Sequence, residues 1–197
     1  MSTLPKVSAI DLPLLTVTAA GSHVSRFEAG LEAEVIVLFD QLRNPLLRYL
    51  LSFRTDMADA EEIVQEVFLA LFQHLCKGKS RSNLPAWTFK VAHNLALKNR
   101  QRTQRQGAEL TGDHADLAEG PEEYVAGLQR QQRLLAVVKA LPEQDQCCLS
   151  LRAEGLRYRD IAAVLGISLG SVASSLEKSL TRLARADATN ERSNAQS

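Results

Sequence analysis

Apolar residues recur every three or four positions along most of this chain, a spacing that gives a continuous buried face only in a helix. The pattern runs through residues 27–53, 56–75, 86–105 and 128–141, and it returns after residue 156. Hydrophobic residues make up 45% of the sequence but aromatic residues only 5%, which favours helices over a sandwich or barrel. We therefore expect an all-α fold.

One segment interrupts the helical pattern and divides the chain. Residues 107–123 contain three glycines, one proline and several acids, without any apolar period, as is typical of a flexible linker. We expect two small helical domains, at 27–106 and 128–185, joined by a flexible acidic linker at 107–127. Residues 1–26 are expected to form a disordered extension, and residues 186–197 a polar tail.

Charge is distributed in blocks of opposite sign. The formal net charge is zero, which by itself does not suggest a nucleic-acid partner. However, residues 77–105 carry eight Lys or Arg and no acid, whereas residues 106–129 carry six acids and no Lys or Arg. Blocks of opposite charge indicate separate partners, and the basic block favours a polyanion.

The segment 156–183 has the pattern of a helix-turn-helix. A helix of about eight residues ends at Gly166, and Ser168 can cap a second helix. Val172, Leu176, Leu180 and Leu183 would form the buried face of that second helix. Such a pair leaves the start of the second helix free to enter a major groove. An ordinary helical bundle remains the alternative.

The basic block also contains groups that suit single-stranded nucleic acid. Trp87 and Phe89 could stack on unpaired bases, while Asn83, His93 and Asn94 could bond base edges. The alternative is a solvated helix face with Trp87 in the core.

An acidic face is predicted on the helix at 56–75. Asp59, Glu62 and Glu66 share it, with Gln65 and Leu69 beside them. It is either a solvated face or a docking surface for a basic partner helix.

Three segments, in order, resemble the extracytoplasmic-function (ECF) sigma factors of bacterial RNA polymerase. Residues 59–68, DAEEIVQEVF, resemble the polymerase-binding helix of that family. Residues 85–97, PAWTFKVAHNLAL, resemble the segment that reads and melts the minus-ten element. Residues 141–172, with LPE, LR, EGLRYRDIA and LGISLGSV, resemble the minus-thirty-five-binding domain.

The resemblance implies a promoter-specific initiation factor that binds the beta-prime and beta subunits of core RNA polymerase. The polymerase-binding residues would be Asp59, Glu62, Gln65, Glu66 and Leu69, docked on a coiled coil of beta-prime. The loop 77–86 would capture a base from the melted non-template strand. The minus-ten contacts would be Lys77, Lys79, Arg81, Asn83, Trp87, Lys90, His93, Asn94, Lys98, Arg100 and Arg102. The minus-thirty-five contacts to duplex DNA would be Arg157, Arg159, Ser168, Gly170, Ser171, Ala173, Ser174, Lys178 and Arg182.

Departures from the family concern the second domain. Relatives usually carry a basic residue where this chain has Ala173, and another where it has Ser175. We therefore expect weaker upstream DNA contact unless other basic side chains compensate. Arg157 stands at a cap position where Ser or Thr is usual. Members of the family are often held by an anti-sigma factor, and such a partner is an open expectation.

Two other classes of function would each account for part of the sequence. An autonomous helix-turn-helix regulator would explain 156–183 but leaves the acidic face and the Trp87 segment without a role. An enzyme with Cys147 or Cys148 as nucleophile and His93 as base lacks any Gly-rich loop or activating partner. We therefore expect no enzymatic activity and no cofactor.

The cysteines and apolar runs exclude several further classes. Cys76 and the adjacent pair Cys147–Cys148 give an odd count without paired spacing, so a disulfide framework and a zinc site are not expected. We expect all three to be small core residues. No apolar run is long enough to span a membrane, and no signal peptide is evident, so a cytoplasmic protein without membrane contact is expected.

Overall fold

The computed structural model describes residues 20–53, 55–105 and 122–194, and all of its regular structure in those ranges is helical. The helices are α1 (Ala20–Ser52), α2 (Met57–Cys76), α3 (Leu84–Arg105), α4 (Glu122–Lys139), α5 (Glu143–Ala153), α6 (Tyr158–Leu165) and α7 (Leu169–Asn194). The expectation of an all-α fold is confirmed. Residues 1–19, and most of the expected linker, lie outside the described residues.

Three helix ends differ from the sequence-based expectation. Helix α1 begins at Ala20 and continues through Pro45, although residues 1–26 were expected to lack structure. Helix α4 begins at Glu122, six residues before the predicted resumption of the period. Helix α7 continues to Asn194 through the expected tail, because residues 186–194 contain neither Gly nor Pro. Arg130 also holds both carboxylate oxygens of Asp187, which ties α7 to α4.

Helices α1, α2 and α3 pack together as a first helix group. The apolar side of α2 is buried against α1 and α3, and its N-terminus is capped by Asp56, whose Oδ1 accepts from the Asp59 backbone N–H at 2.7 Å. Fully buried side chains from all three helices meet in this core: Leu46, Leu50, Val67, Leu71, Phe89 and Ala92. The group therefore presents the polar side of α2 to solvent.

A polar contact lies inside this apolar core. The Tyr49 hydroxyl and His93 Nδ1 are 2.7 Å apart and both residues are buried. Burial lowers the pKa of His93 because the charged imidazolium loses hydration. In the neutral ring, Nδ1 can accept a hydrogen bond from the Tyr49 hydroxyl, which satisfies both polar groups.

Helices α4 to α7 form a second helix group. Helices α6 and α7 meet at 107°, which is within the range of about 90–120° for a helix-turn-helix. Gly166 makes the turn in the left-handed region at φ 67, and the Ser168 hydroxyl accepts from the Ser171 backbone N–H at 3.0 Å. Val172 and Leu176 are buried in this group, as the apolar pattern predicted.

One residue of the predicted apolar face of α7 is placed differently. Leu180 is 55% exposed, so its assignment to the buried face is wrong. It lines a shallow apolar groove between α7 and α4, together with Leu134, Leu135 and Leu183. The neighbouring Ser179 is fully buried, so the buried face of α7 runs through Ser179 at this level and not through Leu180.

The cysteines divide into buried and exposed positions. Cys147 and Cys148 are buried, as expected for core residues, whereas Cys76 is exposed and that expectation was wrong. Cys76 is the last residue of α2 and follows Leu75, the last residue of the buried apolar face of that helix. Burial raises the pKa of Cys147 to about 12 and raises that of Cys148 as well, the opposite of an activated nucleophile.

Residues 20–53, 55–105 and 122–194 contain neither a single membrane-spanning helix nor a cluster of metal ligands. None of the helices is by itself both long and apolar enough to cross a membrane; only α6 and the first part of α7, taken jointly, reach that length and composition, and they are bent at 107°. Within the same ranges, His, Cys, Asp and Glu side chains do not cluster in groups of three or more that could hold a metal ion.

The buried His93 predicts a pH dependence of stability. Because the folded protein binds this proton less readily than the unfolded chain, His93 lowers stability as pH falls through about 6.5, by at most ~1.4 kcal/mol per pH unit. We expect the Tm to fall between about pH 7.5 and pH 5.5, and to fall less in His93→Gln, whose side-chain oxygen can still accept from Tyr49. Thermal melts across that range, with His74→Gln as control, provide the measurement. Identical slopes in His93→Gln and the native chain would show that His93 does not titrate in this way.

Candidate nucleic-acid interface

The exposed side of α2 carries the predicted acidic face. Glu62, Gln65, Glu66 and Leu69 are all exposed on it, and Leu69 is 59% exposed. Asp59 is half-buried, and its Oδ2 accepts from Asn99 Nδ2 at 2.5 Å. Four of the five predicted polymerase-binding residues are thus free to contact a partner, while Asp59 is tied to α3.

The acidic face and the basic end of α3 form the two walls of one groove. Asp59, Glu62 and Glu66 line one wall, and Lys98, Arg102 and Arg105 line the other. Arg102 donates to Asn99 Oδ1 at 2.9 Å, which connects it to Asp59 through Asn99. Sequence reasoning treated these two blocks as separate surfaces, whereas the fold places them side by side.

The loop between α2 and α3 presents the other basic residues. Lys77, Lys79 and Arg81 are exposed, and Arg81 pairs with Glu34 of α1 at 3.2 Å. Asn83 has a positive φ of 53, in the left-handed region that Asn tolerates better than most residues. This backbone conformation directs the chain into α3 and leaves the Asn83 side chain exposed.

The aromatic residues of α3 are not equivalent. Trp87 is half-buried and its ring lies 4.6 Å from that of His74, whereas Phe89 is fully buried against Tyr49. Trp87 therefore has an accessible part beside the loop, and Phe89 does not.

The polar residues of α3 also divide. Lys90, Asn94 and Lys98 are exposed on the outer side of the helix. His93 is buried and bonded to Tyr49, which argues against its predicted contact with bases. His93 lies at helical spacing from the buried Phe89, Ala92 and Ala96, but the sequence gave no sign of the polar partner that makes its burial possible, because Tyr49 is 44 residues away.

The second helix group presents the predicted minus-thirty-five surface at the start of α7. Most of the predicted contacts are exposed: Arg157, Arg159, Ser168, Gly170, Ala173, Lys178 and Arg182. Ser171 and Ser174 are half-buried, and the Ser168 and Ser171 hydroxyls bond each other at 2.8 Å. Arg157 makes no side-chain cap bond, in keeping with its departure from Ser or Thr.

Ser175 is not part of this surface. It is 4% exposed, and its hydroxyl accepts from Gln144 Nε2 at 3.3 Å. The expectation that a missing base at Ser175 weakens DNA contact is therefore corrected, because a side chain at this position faces α5. Ala173 is exposed and remains a position where a base is absent.

Contacts between the two helix groups bring predicted DNA-binding residues together. Asn83 Nδ2 donates to Asp160 Oδ1 of α6 at 2.7 Å, and Arg157 and Arg159 line the same cleft as Asn83. Arg100 holds both oxygens of Glu143 of α5, and this hydrogen bonding raises the pKa of Arg100.

A third contact joins side chains that sequence reasoning did not single out. Arg48 of α1 holds both carboxylate oxygens of Glu154, at 2.9 and 2.6 Å. The two residues are 106 positions apart, so no local spacing signals the pair.

Comparison with known proteins gives this arrangement a family. The family model for Sigma-70 region 2 matches residues 38–106, and the model for Sigma-70, region 4, matches residues 131–183. The ECF RNA polymerase sigma factor EcfG of Rhodopseudomonas palustris is 27% identical over 153 residues, which cover 74% of this chain and 84% of that protein. The ECF RNA polymerase sigma factor SigL of Mycobacterium tuberculosis is 29% identical over 165 residues, covering 82% and 93%.

Solved structures agree on the fold. CnrH, in complex with the cytosolic domain of CnrY, superposes with a TM-score of 0.57 at 18% identity, covering 82% of this chain and 92% of that chain. RpoE of Bartonella quintana, in complex with the anti-sigma factor NepR, superposes with a TM-score of 0.53 at 23% identity, covering 76% and 95%.

The two family regions, matched in order on two helix groups, define a sigma factor of RNA polymerase, and the chain belongs to the ECF type of that family. It directs promoter-specific transcription initiation together with core RNA polymerase. Sigma factors are in general DNA-binding initiation factors without an enzymatic reaction of their own. The alternative of an autonomous operator-binding regulator is not favoured, because residues 38–106, which match Sigma-70 region 2, would have no role in such a protein.

Proposed function

We propose that the first helix group docks on polymerase and opens the promoter, while the second contacts duplex DNA upstream. In this division, residues 27–106 act as the region 2 domain, 107–127 as the linker and 128–185 as the region 4 domain. The extents of the two family matches support these boundaries. The observation that carries the proposal is the exposure of an acidic face directly beside the basic end of α3.

The acidic face of α2 is proposed as the polymerase-binding surface. Glu62 and Glu66 offer unpaired carboxylates to a basic helix, and the exposed Leu69 adds apolar contact beside them. A coiled coil of the beta-prime subunit is the proposed partner, and the beta subunit is the proposed contact of the second group. Asp59 is proposed to orient Asn99 and, through it, Arg102.

The loop 77–86 and the outer side of α3 are proposed to hold melted minus-ten DNA. Phosphates would be bound by four exposed lysines that lie within residues 77–98 of the chain: Lys77, Lys79, Lys90 and Lys98. A flipped base of the non-template strand would lie against the accessible part of Trp87, with Asn83 and Asn94 bonding base edges. His93 is left out of this set because it is buried.

The start of α7 is proposed to read the minus-thirty-five element in the major groove. Gly170 and Ala173 allow close approach, and Lys178 and Arg182 are placed further along the exposed side for phosphates. The half-buried Ser171 and Ser174 offer hydroxyls only at the edge of this surface.

Two broader assignments complete the proposal. An anti-sigma factor is a proposed partner, supported by the likeness of the fold to RpoE in complex with NepR. A cytoplasmic site of action is proposed because polymerase and promoter DNA are the working partners. Nucleotide addition would remain with polymerase, so neither a cofactor nor a nucleophile is assigned to this chain.

Reversing the charge at Glu66 tests the docking surface. Glu66→Lys is expected to weaken binding to core polymerase by roughly ten- to a hundredfold, because like charges at a docking surface repel. Glu61→Lys on the same helix is the matched control, since Glu61 turns toward α1 and pairs with Arg43 at 3.4 Å. Equilibrium titration with purified core polymerase measures both. Equal affinities for the two variants would show that the acidic face is not the docking surface.

Truncating Trp87 tests the melting role. Trp87→Ala is expected to reduce promoter opening, followed by permanganate reactivity of unpaired thymines, more than it reduces recruitment to duplex promoter DNA. Its loss of stability should be smaller than that of the fully buried Phe89→Ala, for which about 3–5 kcal/mol is typical. A stability loss as large as that of Phe89→Ala, with opening and recruitment equally affected, would instead make Trp87 a core residue.

A further inference from the structure

A histidine near the C-terminal end of α2 holds the loop that follows this helix. His74 Nε2 lies 2.8 Å from the backbone carbonyl oxygen of Ser80. Because a carbonyl oxygen can only accept, Nε2 carries a proton and donates the hydrogen bond. The His74 backbone carbonyl also accepts from the Lys79 N–H at 3.3 Å. His74 thus contacts the loop twice, once through its ring and once through its main chain.

The same imidazole ring packs against Trp87 at the start of α3. The two ring centroids are 4.6 Å apart, and the ring planes are inclined at 43°. Both side chains are half-buried, so each keeps part of its surface toward solvent. One residue therefore contacts both elements that are proposed to hold a flipped base, namely the loop 77–86 and the Trp87 ring.

The contact from His74 falls between two reversals of the loop. Gly78 and Asn83 both have left-handed backbone conformations, at φ 64 and φ 53, and Ser80 lies between them. The Ser80 hydroxyl accepts from the Ser82 N–H at 3.2 Å. Holding the Ser80 carbonyl therefore fixes the middle of the loop, where neither flanking helix constrains it directly.

The charge of the loop opposes its ordered conformation. Lys77, Lys79 and Arg81 follow one another at every second position, and their like charges repel. Arg81 pairs with Glu34 of α1 at 3.2 Å, whereas both lysines are exposed. The bond from His74 uses a ring N–H and a backbone carbonyl. It therefore orders this stretch and leaves the two ammonium groups available for phosphates.

We infer that His74 is a positioning residue for promoter opening, because its ring N–H holds the Ser80 carbonyl, and with it the loop 77–86, beside Trp87 before DNA arrives. This role rests on the proposed function of the loop and Trp87 in holding melted DNA. A loop that is ordered beforehand loses less conformational entropy when a base enters it, so more of the contact energy is gained as binding. His74 needs no contact with a base to act in this way.

Three substitutions separate the ring N–H from the packing of the ring. His74→Phe keeps an aromatic ring beside Trp87 but removes the donor, whereas His74→Gln keeps a side-chain N–H but removes the ring. His74→Ala removes both. Glu61→Ala is the matched control, because it removes a different side-chain contact of α2, the pair with Arg43 at 3.4 Å. That contact lies about 20 Å along the helix from His74.

Trypsin digestion of the full chain tests the anchor without polymerase. Cleavage after Lys77 and Lys79, followed by mass spectrometry, reports opening of the loop, since native-state proteolysis follows local opening. His74→Ala and His74→Phe are expected to accelerate this cleavage roughly three- to tenfold, as the loss of one hydrogen bond typically does. His74→Gln and Glu61→Ala should be cleaved at close to the native rate.

Cleavage after Lys90, inside α3, is the reference site in the same molecule. It is expected to keep its native rate in every variant, because the anchor concerns the loop alone. Equal acceleration at Lys90 and in the loop would report a general loss of stability and would overturn the inference. Native loop cleavage in His74→Ala would also overturn it.

Promoter opening by the complete holoenzyme tests the functional role. The template is a promoter found by run-off transcription, opening is followed by permanganate reactivity of unpaired thymines, and recruitment by equilibrium binding to the duplex. His74→Ala and His74→Phe are expected to slow opening roughly three- to tenfold and to change recruitment by less than about twofold. His74→Gln should open the promoter at close to the native rate.

Two results with the holoenzyme would contradict the inference. A parallel fall in recruitment and opening would make His74 a structural residue of the domain. Native opening in His74→Phe would show that the ring N–H is not required.

Comparison with Trp87→Ala separates this inference from the proposed function. If Trp87→Ala impairs opening while His74→Ala and His74→Phe do not, the proposed function stands and the positioning role is overturned. If Trp87→Ala leaves opening unchanged, the proposed role of Trp87 fails, and trypsin cleavage of the free chain still decides whether His74 anchors the loop.

Discussion

Tyr49 is the side chain on which the arrangement of the helices most depends. It is 1% exposed in the last turn of α1, its ring meets Phe89 of α3 edge-on at 5.7 Å, and its hydroxyl bonds His93 at 2.7 Å. On its other side it contacts Cys147 of α5. A single aromatic residue thus joins α1 to α3 and α5, and a smaller side chain there would leave a cavity and an unpaired imidazole. Burial also raises the pKa of Tyr49, so the hydroxyl keeps its proton and remains a donor.

The distribution of charge explains how a chain without net charge can serve an anionic ligand. Acids on α2 and bases on α3 stand on opposite walls of one groove, which gives the first helix group two adjacent surfaces of opposite sign. The remaining acids of interest, Glu143, Glu154 and Asp160, face the first group. Glu143 and Glu154 neutralise arginines of the first group, and Asp160 accepts a hydrogen bond from Asn83.

Local signals in the sequence were sufficient for much of the fold. The spacing of apolar residues predicted each helix that positions a candidate site, and Gly166 and Ser168 predicted the turn and the cap of the helix-turn-helix. These features depend on residues within a few positions of one another. The resemblance to ECF sigma factors then suggested roles for the acidic face of α2, the outer side of α3 and the start of α7, all of which are exposed in the structure.

Long-range burial was not predictable in the same way. His93 and Ser175 are polar side chains, yet each is buried with a hydrogen-bond partner on another helix. Leu180 follows the apolar period but faces a groove that α4 only partly covers. The three contacts between the groups join residues 43, 77 and 106 positions apart, and no periodicity within one helix specifies such pairs.

Run-off transcription tests the central claim most directly. Purified core polymerase would be supplied with fragmented genomic DNA from the source organism, with and without this chain. The account predicts discrete new transcripts that appear only when the chain is present, because promoter choice would come from its two DNA-binding surfaces. If the chain does not bind polymerase and no new transcript appears, the assignment as an initiation factor is contradicted.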